Sequence, residues 1–236
     1  MRYERQLLIP KIGHSGQKKL EQSTVTVIGT GALGSPVLTY LVCAGVGRIR
    51  IIDGEVVSEP DLNREFLHNT EDVDKLKVLS AKEKLALINP EIEIITINKR
   101  LEAENAEDFL AGSDVVADCV DNMDTRTAVA KACIKLDIPL VEGSVNGFNG
   151  FVLDIGRNYP CLSCLGFDEL KAEQPIPLLG VTAGVIGCMQ ANECIKLLLG
   201  IGEPLYGRIL NYDGLSGMWK EISAKVSDRC PIHSNI

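Results

Sequence analysis

Three features of the sequence predict an α/β fold: a mostly parallel sheet with helices on both faces, finished by antiparallel strands. Up to residue 144, short β-branched runs alternate with helix-period segments, the pattern of a parallel sheet with helical crossovers. The first run, TVTVI at 24–28, leads through Gly29-Thr30-Gly31-Ala32-Leu33-Gly34 straight into a helical pattern, and glycines there permit a tight turn. After residue 144 the rhythm changes to strand, loop, long helix and hairpin.

Taken in order, residues 1–22 form an amphipathic, partly basic helical segment. Strands are expected at 24–28, 48–53, 92–97, 114–120 and 138–144, and helices at 33–44, 75–88, 103–111 and 124–136. Asn89-Pro90 ends the second of these helices, since proline restricts the residue before it to extended backbone. NGFNGFVLDIG (146–156) reads as a strand, CLSC (161–164) lies in a loop, and a long helix runs from about 180 to 199. GRILNYD and GMWKEIS then make a hairpin around Gly214. With no internal repeat or linker, the expectation is one domain over 1–236. It comprises the N-terminal segment 1–22, a Rossmann-like nucleotide-binding core 23–145 and a C-terminal elaboration 146–236.

The chain has 236 residues, 45% hydrophobic and 24% charged, enough for one sizeable core. A net charge of −8 argues against a general nucleic-acid binder, which is usually basic. MRYERQLLIP has no apolar run to serve as a signal peptide. The longest uncharged run, Pro175 to Asn192, carries proline, glutamine and glycines, so it reads as a buried helix and not a membrane span. A cytoplasmic protein is expected. Its eight cysteines then do not form a disulfide framework. Cys43, Cys119, Cys133 and Cys194 sit in apolar sequence and read as small core residues, as does Cys188.

The glycine turn follows a strand, opens a helix, and is trailed by Asp53, 19 residues after Gly34. That spacing suits a carboxylate on a ribose, so an adenosine nucleotide is expected, with NAD and ATP both open. The residues beyond decide. VSEPDLNREF (57–66) brings Arg64 to the C-terminal edge of the sheet, EDVDKLK (71–77) brings Lys75 and Lys77, and DCVDN (118–122) brings Asp121. A dehydrogenase needs a proton-transfer partner, and none of His14, His68 and His233 is expected beside a strand end. Cations for phosphate oxygens and a carboxylate able to hold Mg²⁺ suit attack at phosphorus instead. Singly, Arg64 reads as a solvated loop arginine, Lys77 as a helix-surface lysine, and Asp121 as the cap of the helix beginning near Asn122. Their order after Asp53 argues for the joint reading.

Cys161-Leu-Ser-Cys164 and Cys230-Pro-Ile-His233 form C-x-x-C and C-x-x-H, a three-cysteine, one-histidine set for tetrahedral zinc. A redox C-x-x-C would open a helix in a thioredoxin-like unit, which is absent here. The site is expected to pin the C-terminus to the loop after the sheet. The alternative is an empty site with reduced thiols.

The chain resembles the MoeB/ThiF/HesA adenylyltransferases, relatives of the ubiquitin-activating enzymes. The likeness rests on RYERQ (2–6), GTGALGS (29–35), IIDGEVVSEPDLNREF (51–66), DKLKVLSAKEKLALINP (74–90), DCVDNMDTR (118–126) and CLSC. It implies ATP-dependent adenylation of the C-terminal Gly-Gly carboxylate of a ubiquitin-like sulfur-carrier protein, for cofactor biosynthesis of the molybdopterin or thiamine type. By position, Gly29, Gly31, Ala32, Gly34, Asp61 and Asn122 belong to the nucleotide site, and Asp53 faces the ribose. Arg64 and Lys77 contact phosphates, and Asp121 assists Mg²⁺. Arg5 reaches the partner subunit's ATP, which implies a homodimer. The family holds zinc with four cysteines where this chain has His233 as the fourth group.

Three departures stand out. Asp61 replaces the family's usual asparagine and either turns to the metal or loosens ATP, and Glu65 replaces the usual glutamine. The loop before the long helix (168–180) lacks the cysteine with which some members bind the carrier covalently, so adenylation is expected without a thioester or persulfide on this chain. The rivals are an NAD-dependent oxidoreductase and a non-catalytic nucleotide-binding partner protein.

Overall fold

Strand β1 (Thr24–Ile28) is buried at every residue, as a strand covered by helices on both faces must be. The computed structural model describes residues 2–167 and 176–235. Around β1 lie β2 (Arg48–Ile52), β3 (Glu93–Ile97), β4 (Val115–Asp118), β5 (Leu140–Asn146), β6 (Asn149–Ile155), β7 (Arg208–Asp213) and β8 (Met218–Ser223). They form one eight-stranded sheet in the order β3-β2-β1-β4-β5-β6-β7-β8. The first five pair in parallel and the last three antiparallel. The chain walks outward from β1 to β3 and then returns to lay β4 on the other side of β1. This reversal opens a crevice at the C-terminal ends of β1 and β4, where ligands bind in open α/β sheets.

The helices are α1 (Glu4–Leu7), α2 (Gly13–Gln22), α3 (Gly34–Ala44), α4 (Lys77–Ile88), α5 (Ala106–Leu110), α6 (Met123–Leu136) and α7 (Gly180–Leu199). Helices α3, α4 and α7 pack on one face, where Leu38, Leu41, Val78, Leu85, Ala183 and Ile186 join one core cluster. Helices α5 and α6 pack on the other, with Leu110, Val129, Ile134 and the cysteines Cys161 and Cys230 in a second. The α/β class, the parallel core and the antiparallel strands agree with the sequence. Helix α4 begins at Lys77 and not at 75, because the preceding residues are used by a turn over Thr70–Asp72 capped by Asn69. No helix among the described residues is long and apolar enough to cross a membrane.

Two core expectations fail. Cys119, Cys133 and Cys194 are buried, but Cys43 and Cys188 are exposed. Val37, Leu38, Leu41 and Val42 take the inward face of α3, so Cys43 points outward with Tyr40, three residues away. Cys188 leaves α7 toward the same groove, shared with Gln6, Asn192 and Ile195. Partial burial still pushes the Cys188 thiol up, so it is a poor nucleophile at neutral pH for that reason and not through full burial.

Candidate active site

The glycine turn sits at the head of the crevice. Gly29 has φ +90, and a Cβ there would stand 2.8 Å from the Cys119 carbonyl oxygen, so β4 closes against the turn only because the side chain is absent. A Cβ on Gly34 would fall 2.1 Å from the Gly29 oxygen, which lets α3 start tight against the strand end. Ala32 is half-buried beside them. Asp53, just past β2, ties the turn down: its Oδ2 accepts from the Thr30 amide (2.8 Å) and hydroxyl (2.7 Å), and its Oδ1 from the Glu55 amide (2.8 Å).

Lys77, at the first position of α4, is 4% exposed. Its Nζ lies 3.0 Å from Glu55 Oε2, 3.5 Å from Asp61 Oδ2 and 3.0 Å from Glu65 Oε2. Burial works against its charge, yet Glu65 and Glu55 overcome this and hold its proton above the ordinary lysine range. Arg64 folds back on its own turn, donating to the Pro60 carbonyl, to Asn63 Oδ1 (3.1 Å) and to Asp61 Oδ1 (3.2 Å). The two cations expected for phosphate are thus present but paired with carboxylates. Asp61 closes a capping box with Ser58, accepting from its amide (3.0 Å) and hydroxyl (2.7 Å). Burial opposes its charge, but Ser58, Lys77 and Arg64 hold it below the usual carboxylate range. Both Asp61 oxygens are thus engaged by these donors.

His68 corrects another expectation. It lies directly beyond a strand end, with Nε2 3.3 Å from the Thr30 carbonyl and Nδ1 2.8 Å from Ser80 Oγ. Its side chain has no exposure, and burial together with Lys77 pushes its pKa down. It is a neutral brace for the glycine turn, out of reach of any substrate.

Across the crevice, Asp121 is exposed on the loop after β4. The helix cap is Asn122, whose Oδ1 accepts from the Thr125 amide at 3.0 Å, so Asp121 is left to point outward. The loop is pinned from below by Arg126, which donates to the Val120 carbonyl, the Gly143 carbonyl (2.9 Å) and Glu142. From α7, Gln190 Nε2 donates to the Asp118 carbonyl at 2.7 Å.

Arg5 does not join this group in its own chain. It is exposed on α1, which is fastened at the far end of α3 by Gln6 donating to the Ala44 carbonyl at 2.9 Å. The 11 residues of α3 separate that end from the glycine turn, about 16 Å of helix.

On the α5–α6 side, Cys161, Cys164, Cys230 and His233 bring their ligand atoms within 4.8 Å of one another. Cys161 Sγ lies 3.8 Å from Cys164 Sγ and 3.6 Å from Cys230 Sγ, and His233 Nδ1 lies 3.3–3.8 Å from the three sulfurs. A tetrahedral zinc ion with Zn–S bonds of about 2.3 Å spaces its sulfurs about 3.8 Å apart. The donor set and spacing fit that ion.

The model of the ThiF family matches residues 3–232. The chain belongs to the ThiF family. Among this ThiF-family chain's relatives are the sulfur carrier protein ThiS adenylyltransferase of Escherichia coli and the sulfur carrier protein adenylyltransferase of Thermus thermophilus. The first is 39% identical, with 98% of this chain and 94% of the relative covered. The second is 38% identical, with 98% and 89% covered. The SAMP-activating enzyme E1 of Haloferax volcanii is 35% identical over 98% of this chain and 87% of its own. Among solved structures, Escherichia coli MccB with succinimide superposes with a TM-score of 0.87 at 19% identity, covering 99% of this chain and 73% of that one. That likeness carries the fold alone.

Sequence reasoning passed over the roles of His68, Arg126, Glu142 and Gln190 in this ThiF-family chain. Arg126 left a signal, since it ends the motif DCVDNMDTR (118–126), but its inward aim depends on β5. The others carry no local signal.

Proposed function

We propose that the chain is an adenylyltransferase that activates the C-terminal carboxylate of a ubiquitin-like sulfur-carrier protein ending in Gly-Gly, using ATP and Mg²⁺. The observation that supports this reading is Asp53 bonded to the glycine turn beside the strand ends of β1 and β4, with Lys77 reaching toward that turn through Glu65, in a chain whose relatives of nearly equal length are named sulfur carrier protein adenylyltransferases.

A carboxylate oxygen of the carrier attacks the α-phosphorus, the bond from that phosphorus to the bridging oxygen breaks, and pyrophosphate leaves with the electron pair. The carboxylate is already ionised at neutral pH, so the protein needs no general base. Its work is to hold two anions together. Gly29, Gly31, Ala32 and Gly34 line the phosphates with backbone, Asp53 holds the ribose, and Lys77 and Arg64 meet phosphate oxygens once they exchange partners. Asn122, whose amide nitrogen donates to nothing among the described residues, offers a further donor. An outward carboxylate such as Asp121 suits a hard cation that keeps several waters, and Mg²⁺ there would spread the charge of the departing pyrophosphate. In-line orientation supplies much of the rest, worth about 7–11 kcal/mol at best. Arg5, remote from its own site, completes the partner's in a homodimer. The exposed apolar side chains of Phe148, Leu179 and Val181 offer a place for the carrier's tail. Phe151 does not, because it packs edge-on against Phe167 at 5.2 Å. Much of the loop read for a missing cysteine, 168–175, lies outside the described residues.

Zinc is the ion proposed for the Cys161, Cys164, Cys230 and His233 cluster, with a structural role. Metal analysis of protein purified without added metal should return one zinc per chain; none would leave reduced thiols. The whole chain acts as one adenylation domain in the cytoplasm, where its free cysteines are at home. ATP–pyrophosphate exchange with candidate Gly-Gly carriers tests the activity and separates thiamine-type from molybdopterin-type partners. Nucleotide binding without exchange would point to a non-catalytic partner protein, and tight NAD(H) binding to an oxidoreductase.

A further inference from the structure

Glu65 has no task in the chemistry above, yet it occupies the centre of the crevice. Its Oε1 lies 3.1 Å from where a Cβ on Gly31 would stand. Its Oε2 lies 3.0 Å from Lys77 Nζ and 4.0 Å from His68 Nε2. Oε2 accepts no hydrogen bond, so the contact with Lys77 is an ion pair off the hydrogen-bond direction. The residue is 4% exposed. A carboxylate therefore stands between the glycine turn and the lysine that a phosphate has to reach.

The groups facing it are few. Helix α4 presents Lys77, which also meets Asp61 and Glu55. Its own segment presents Arg64, 4.0 Å from Oε1, and the buried neutral His68. Gly31 presents only backbone. Two cations thus face three carboxylates, a local balance of 2 − 3 = −1 before any ligand arrives. Burial first, and then the charge of Asp61, push the Glu65 carboxyl up to about 7 against the pull of Lys77. A triphosphate brings several more negative charges to the same spot, and like charges at this range cannot all stay ionised.

We propose that Glu65 is a proton-coupled gate on nucleotide binding: the triphosphate takes its place on Lys77, and the displaced carboxylate picks up one proton from solvent and stays at the turn as a neutral acid. The proposal rests on the nucleotide site described above. Its sign is fixed. The bound state holds the proton to higher pH than the free state, so affinity falls as pH rises above the free-state value. Below it the carboxyl is already protonated and binding takes up nothing.

The test is calorimetric titration of the full-length protein with the magnesium complex of α,β-methylene-ATP, in buffers of different ionisation heat. Wild type should take up close to one proton per site near about pH 8 and almost none near about pH 6, with Kd rising about tenfold per pH unit above neutrality. Glu65→Gln should take up none beyond the ligand's own share, and bind about tenfold more tightly than wild type near about pH 8. The ligand's own titration is common to both proteins and cancels in their difference. Parallel profiles in the two proteins would overturn the gate while leaving the nucleotide site intact. No binding by either at any pH would overturn both. Should Glu65→Gln fail to fold, wild type decides alone: no buffer-dependent heat near about pH 8 overturns the gate.

Discussion

Lys77 and Arg126 are both buried, both outnumbered by carboxylates, and differ in what completes them. Lys77 meets side chains only: Glu55, Asp61 and Glu65. Arg126 spends its fork on Glu142 and on the carbonyls of Val120 and Gly143, with Asp118 close enough to feel its charge. Asp118 and Glu142 face each other across the β4–β5 pairing, and each leaves one buried oxygen without a donor. An ammonium is a point charge that can change partners, whereas a guanidinium fork set against backbone cannot be rearranged without moving strands. One knot is exchangeable and the other fixed, so the crevice has a charge that can be re-paired above a floor that holds still.

The fixed knot should cost most to break. Arg126→Met strands Glu142 and Asp118 without a cation, and the loss of a buried partner is worth about 3–5 kcal/mol in denaturant unfolding. Arg126→Lys should recover less than half of that, because one ammonium cannot serve both carbonyls and Glu142. Full recovery would show that an ammonium serves the fixed knot as well as a guanidinium does.

The exchangeable knot should respond in the opposite sense when its excess acid is removed. The folded Glu65 carboxyl titrates at about 7 against an ordinary 4.5. An acid with a raised folded value costs nothing below the unfolded value, costs progressively more as pH rises to the folded value, and costs a constant amount above. Glu65→Gln should therefore stabilise by about 3 kcal/mol near about pH 8 and by almost nothing near about pH 4.5. Equal gain at both would show that packing, not charge, is responsible.

Lys77→Met comes next, at about 1–2 kcal/mol near about pH 8, less than Arg126→Met because Glu65 can neutralise itself by taking a proton. If Lys77 meets the phosphates as proposed above, pyrophosphate exchange should fall by about a hundredfold or more, since a preorganised charge would be lost. Smallest of all is the exposed pair Lys135–Glu107, 2.6 Å apart: Lys135→Ala should change unfolding by less than about 1 kcal/mol. A larger effect would mean that burial is not what separates these clusters.

The parallel core was legible because its signals are local. β1 reads as a fully buried strand, the glycines announce the turn, and Cys161, Cys164, Cys230 and His233 come in pairs whose spacing carries the chemistry. What escaped was set by distant segments. Glu65 is visible as a letter after Arg64, but its position over Gly31 depends on how the 57–76 segment folds back onto the turn. His68 sits in a sequence with no strand near it and still ends beside Thr30. Cys43 and Cys188 were misread because α3 and α7 are apolar on most of their surface, and periodicity then cannot say which face turns outward. Arg126 lies in a first helical turn, where a charged side chain ordinarily reaches solvent.

The change of strand direction beyond β5 also bears on how the chain assembles. β5 and β6 are joined by Gly147 and Phe148 alone, and β7 and β8 by residues 214–217, so each pair can zip within about 1–10 μs. Val25 and Val115 are partners across β1 and β4 although 115 − 25 = 90 residues separate them, and such distant contacts form slowly. Completion of the crevice, and not of the hairpins, therefore sets the pace of folding, and a full chain refolding from denaturant carries its ready-made hairpins before it has anywhere to seat a nucleotide.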